Sequence, residues 1–121
     1  LATERWNRLH PEEPARTSRV GELLAGAGPI VAVTDFMKAI PDQIARWVPA
    51  GRRFTPLGTD GFGRSDTREA LRRHFETDTG HVGAAVLASL AADGAVEPSL
   101  VKDAIDRYGL DPEAEDPALA P

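Results

Sequence analysis

Four consecutive apolar residues, Ile30-Val31-Ala32-Val33, three of them β-branched, leave little choice of environment. With no polar alternation, the run predicts a strand covered on both faces, as in a parallel sheet packed between helices. Arg53–Leu57 (RFTPL) is the other strand candidate, and Pro56 within it points to a strand end or an edge. Around these two lie five or six helix patterns. Two parallel strands do not stand alone, because even an isolated hairpin is marginal in water. The expectation is therefore part of an α/β domain with further strands before Leu1, in preference to a nearly all-helical fold.

The helix signals are local and specific. Ala2 to Leu9 forms the first pattern, stopped by Pro11, and Glu12 to Arg16 reads as an extended linker. Ser18 caps a short helix to Ala25 with Val20, Leu23 and Leu24 on its apolar side. After Asp35, the residues Phe36, Ile40, Ile44 and Trp47 or Val48 recur at helical spacing, and Pro41 predicts a leading turn with the helix starting near it. Asp66 with Glu69 has the form of a capping box opening a helix through Phe75, whose buried stripe is Leu71 and Phe75. Asp78 caps a helix to Ala92 with Val82, Val86, Leu87 and Leu90 inward, and Gly94 ends it. Pro98 opens a last helix, carrying Leu100, Ala104, Ile105 and Tyr108 inward and stopped at Gly109. Three segments follow: a helical lead-in and linker at 1–28, the α/β part at 29–110, and an acidic, proline-rich tail at 111–121 expected to be extended or disordered.

Charge and composition exclude several classes of function. At 121 residues the chain makes one domain at most, and 41% hydrophobic residues can support a core. A formal charge of −5 argues against nucleic acid or anionic membranes as partners, since both need a basic face. The densest basic cluster, Arg64, Arg68, Arg72 and Arg73, is interleaved with Asp66 and Glu69. With no cysteine there is no disulfide, thiolate nucleophile or thiolate-bound zinc, which fits a reducing compartment. No apolar run reaches the ~18–20 residues of a membrane helix, and the charged start, LATERWN, does not read as a secretory leader. The absence of an initial methionine suggests a piece of something longer or an incomplete sequence.

The sharpest motif is the loop 58–66, GTDGFGRSD. Gly58, Gly63, Arg64 and Ser65, with Gly61 between, have P-loop spacing after a possible strand and before a helix. Arg64 stands where a compact lysine is needed, and Asp60 would set a carboxylate beside the phosphates. A glycine-rich turn joining strand to helix accounts for the pattern better. Gly26 and Gly28 precede their strand, so a dinucleotide fingerprint fails. His74, Glu76, Asp78 and His81 match no recurrent metal spacing, and His74 and His81 read as helix-end residues. Ser65 lies outside a nucleophile-elbow context. The residues assign no catalytic, cofactor-binding or metal-binding group. They leave Gly58, Asp60, Gly61, Gly63, Arg64, Ser65 and Asp66 as a structural or contact loop, able to hold an anion or carboxylate from another part of a larger protein.

Three blocks, ERWNRLHPEEP (4–14), GPIVAVTDFMKAIPDQIARWVP (28–49) and FTPLGTDGFGRSDTREALRRHFETD (54–78), resemble in order and spacing the family of homodimeric decarboxylating components of pyruvate dehydrogenase. The ending DPEAEDPALAP resembles that family's C-terminus. The resemblance implies the second half of a transketolase-type C-terminal domain, a three-layer α/β/α unit around a mostly parallel five-stranded sheet. It implies a bacterial, cytoplasmic parent linking glycolysis to acetyl-CoA. That parent decarboxylates pyruvate on thiamine diphosphate and magnesium held by upstream domains, then acetylates lipoyl groups of a dihydrolipoyl acetyltransferase. Its further partners are the rest of the polypeptide and the second subunit of a homodimer. No catalytic residue carries over, so the segment is expected to be structural and inactive alone. The competing expectation is a stand-alone, non-catalytic interaction module of the same fold.

Overall fold

The computed structural model describes residues 1–61 and 63–120; Phe62 of the glycine-rich loop and Pro121 of the tail lie outside the described residues. Helix α1 (Ala2–Leu9) is followed by α2 (Arg19–Leu23), β1 (Ile30–Val33), α3 (Ala39–Asp42), a 3₁₀ turn (Ala45–Trp47), β2 (Phe54–Leu57), α4 (Arg68–His74), α5 (Thr79–Ala92) and α6 (Pro98–Arg107). The two strands pair in parallel, Ile30 opposite Phe54 and Val33 opposite Leu57. Pro56, which has no N–H to give a ladder, sits opposite Ala32.

Most helix ends follow the local chemistry. The Ser18 side chain accepts from Gly21 N at 3.0 Å, the Asp78 side chain accepts from His81 N, and Pro98 occupies the first turn of α6. Two starts differ from expectation. Helix α3 begins at Ala39, so Pro41 falls in its first turn, where a missing N–H costs nothing; Gln43 and Ile44 then interrupt the helix before the 3₁₀ turn. The cap of α4 is Thr67, whose hydroxyl accepts from Ala70 N, while Asp66 Oδ1 accepts from Thr67 N one residue earlier. Both residues can cap, and the one step between them shifts the capping box out of register.

The lead-in is tied to itself and to the domain. The Asn7 amide exchanges two hydrogen bonds with the Arg16 backbone, and the Arg16 guanidinium lies 3.5 Å from the Trp6 ring centroid. Glu4 pairs with Arg46 at 2.8 Å. Arg52 donates to the carbonyls of Leu24 and Gly28, fastening the turn before β2 to the turn before β1.

Helix α5 packs across both strands and against α6. Its Ser89, 4% exposed, donates to Ala85 O and lies 3.4 Å from Thr55 Oγ1 of β2, so this buried hydroxyl is satisfied. The buried core is small: Phe75, Ala104 and Ala120 are its buried hydrophobic side chains among the described residues, and none is fully sealed from solvent. Val86, Leu100 and Tyr108, expected inward, are exposed, as is Leu23 on α2. Apolar residues surround α5 on every side, the composition of a helix enclosed by more protein than packs on it here.

The tail also departs from expectation. It forms two turns, Ala114 N donating to Asp111 O and Ala120 N to Asp116 O, and it buries Pro117 and Ala120. Turn-forming aspartates at 111 and 116 supply this order: Asp111 Oδ1 accepts from Glu113 N and Asp116 Oδ1 from Ala118 N, each at 2.9 Å.

Candidate functional site

The loops leaving the C-terminal ends of β1 and β2 brace each other. Thr34 N donates to Leu57 O at 2.9 Å, and Thr59 N donates to Phe36 O at 2.8 Å. Gly58 is buried at this crossing, where a Cβ would stand 2.6 Å from Phe36 O. Asp60 Oδ1 accepts from Lys38 N, the residue before α3, at 2.9 Å. The carboxylate that weakened the P-loop reading therefore ties this loop to the residue that precedes α3. Gly61 has φ +105°, and a Cβ there would overlap the Pro117 carbonyl oxygen, with the carbonyl carbon 3.0 Å away. The tail thus closes onto the loop at a position that admits only glycine. Gly63 has open space around it, and Arg64, Ser65 and Asp66 are exposed.

A cleft of about 510 Å³ opens between these loops and α4. Of the loop residues singled out from sequence, Gly61, Gly63, Arg64 and Asp66 line it; Gly58, Asp60 and Ser65 do not. Asp35 and Thr59 add the strand-end loops, and Arg68, Leu71, Arg72, Phe75 and Thr77 add α4 and its exit. A crevice beyond the C-terminal ends of parallel strands is where open α/β sheets take ligands. The opposing wall was hidden from sequence reasoning; the one available signal was the spacing of Arg68 and Arg72, one helical turn apart.

The histidines do not converge. His74 meets the Phe75 ring edge-on at 4.7 Å. His81 hydrogen-bonds through Nδ1 to Asp78 Oδ1, and its Nε2 is 4.0 Å from Glu76 Oε1. Burial raises the Asp78 carboxyl pKa, but hydrogen bonds from His81 and Arg73 outweigh it and hold the net value below 3.8. Arg73 also donates to the carbonyls of Tyr108 and Gly109, binding α4 to the end of α6. No histidine hydrogen-bonds Ser65, and no group of three or more His, Cys, Asp or Glu residues could hold a metal among the described residues. These donors do not fit a magnesium–diphosphate group, so no chemistry of thiamine diphosphate is assigned to them. No helix among the described residues is long and apolar enough to cross a membrane.

Residues 5–78 match the family model of the transketolase-like TK C-terminal domain. The chain is 51% identical over 118 residues to a pyruvate dehydrogenase E1 component of Pseudomonas aeruginosa, covering 97% of this chain and 13% of that protein. It is 45% identical over 117 residues to that of Escherichia coli K12, with the same coverage, and 45% identical over 118 residues to that of Mycobacterium tuberculosis, covering 97% and 12%. The chain therefore spans about one eighth of the length of these relatives.

Proposed function

The chain belongs to the transketolase-like C-terminal domain family and is homologous to the C-terminal region of pyruvate dehydrogenase E1 components, and from this we propose that it is the structural, dimer-supporting end of such an enzyme. Identity along 97% of the chain carries the reading. The parent would decarboxylate pyruvate on thiamine diphosphate and magnesium bound outside this segment, then acetylate lipoyl groups of an acyltransferase partner in the bacterial cytoplasm. The segment's own work is to complete a sheet and present a surface to the remaining polypeptide and a second subunit.

The exposed apolar residues support that role. Val33, Phe36, Met37 and Ile40 follow one another from the end of β1 into α3, and Phe36 is 70% exposed. Such a cluster signals an interaction surface. The loop Gly58–Asp66, braced from two sides, is proposed as an ordered polar contact within the larger enzyme. The stand-alone interaction module of the same fold is the competing reading, and the same apolar cluster would then be its partner surface.

The test uses the polypeptide isolated from its source cells. Pyruvate- and thiamine-diphosphate-dependent acetylation of a lipoyl domain is expected, together with a dimer. Phe36→Ser should weaken assembly or thermal stability while leaving turnover per assembled active site unchanged. A polypeptide with no pyruvate-dependent lipoyl acetylation would overturn the enzyme reading and favour the module.

A further inference from the structure

Among the described residues, two arginines of α4 reach the cleft without a side-chain partner of their own. Arg68 and Arg72 lie one turn apart on α4, both line the cleft, and neither side chain has an ion pair or hydrogen bond among the described residues. Like charges at this spacing destabilise a helix by about 0.2–0.5 kcal/mol. Arg73, the next residue, is fully engaged with Asp78, Tyr108 and Gly109, and Arg46 and Arg53 pair with Glu4 and Asp93. The cleft also carries the carboxylates of Asp35 and Asp66; Asp66 accepts from the Thr67 amide, and neither forms an ion pair among the described residues. Leu71 and the buried Phe75 give the same cleft an apolar wall, and Thr59 and Thr77 add hydroxyls.

We propose that this cleft binds a small organic oxyanion, a carboxylate or phosphate carried on an apolar body. The Arg68 and Arg72 guanidinia take the anion, and Leu71 and Phe75 take the body. A guanidinium fork matches the oxygens of either group. The volume suits a small molecule, for which pockets run roughly 300–1,000 Å³. Pro117 lies close against the rim at Gly61, and Asp60 ties the loop to the Lys38 amide, two contacts that favour a preformed cleft. Thr67 already satisfies the start of α4, and the side chains, not the helix end, carry the site. This inference does not rest on the assignment to pyruvate dehydrogenase.

Isothermal titration of the full polypeptide carrying this chain tests it, with inorganic phosphate, phenyl phosphate and benzoate as probes. Phenyl phosphate or benzoate should bind saturably, once per chain and more tightly than inorganic phosphate. Binding should weaken at least tenfold in Arg68→Ala/Arg72→Ala and fall as salt rises. The better of phenyl phosphate and benzoate tells whether phosphates or carboxylates are the natural class. If the double variant does not fold, Arg68→Gln alone must lower affinity at least threefold. No saturable binding, or equal affinity in wild type and variant, overturns the site. Lipoyl acetylation measured on the same samples reports separately on the proposed function, so the two readings fail independently.

Discussion

Replacing Gly61 with alanine should detach the C-terminal tail from the loop it covers. The backbone at φ +105° lies where a side chain is strained, at a cost of about 1–3 kcal/mol. The new Cβ also overlaps the Pro117 carbonyl, which is backbone and cannot rotate away. The protein has a cheaper escape, which is to release the tail and forfeit the burial of Pro117 and Ala120. At ~0.8 kcal/mol per buried carbon group, three ring methylenes and one methyl bound that loss at about 3 kcal/mol, less because unfolded chains bury some surface already. A net effect of about 2 kcal/mol corresponds to roughly 30-fold faster exchange wherever local opening governs it. The reporters are the amides of Ala118, Leu119 and Ala120, which donate within the Asp116 turn. Gly63→Ala is the control, with no neighbour within 4 Å and no positive φ, and should stay within ~0.5 kcal/mol of wild type. Equal exchange in the two variants would refute the coupling of tail to loop.

Glu76 occupies φ +59° after α4, the position that Gly94 and Gly109 fill after α5 and α6, with Glu76 N donating to Arg73 O and Thr77 N to Arg72 O. Glu76→Gly should therefore raise stability by about 0.5–1 kcal/mol in denaturant melts, and destabilisation would show that its side chain matters more than its backbone. Asp60→Ala should cost about 0.5–1.5 kcal/mol by removing the acceptor of Lys38 N, and Asp60→Asn should recover most of it; identical melting of both variants would contradict that tie. The Asp78 carboxyl is held below 3.8 in the folded chain, so the unfolded state binds the proton more readily. Its stabilising contribution is complete above the unfolded value of about 3.9 and is lost as pH falls through the lower folded value. Asp78→Asn should flatten stability against pH in that acid window, and an unchanged slope would exclude Asp78 as its source.

What could be read from the sequence was local chemistry. The β-branched run at Ile30–Val33, the caps Ser18 and Asp78, and Pro98 at a first turn each announce their own structure within four residues. The Asp66/Thr67 choice failed because adjacent cap-forming residues compete, and composition does not rank them. Val86, Leu100 and Tyr108 failed differently: periodicity marks an apolar residue, while burial depends on what covers it. The loop 58–66 was found, but only the half of the cleft that it builds. The other half depends on contacts far apart in the chain, Asp60 with Lys38 and Gly61 with Pro117, and no local pattern encodes them.

The intact mass of the native gene product, taken by immunoblot and mass spectrometry from source cells, bears most directly on whether this chain is the end of an E1 enzyme. A 13.0 kDa chain covering 13% of its relative scales to about 100 kDa, and a product of that size is expected. A native product of 13.0 kDa would contradict the enzyme reading and leave an independent module whose apolar face awaits a partner.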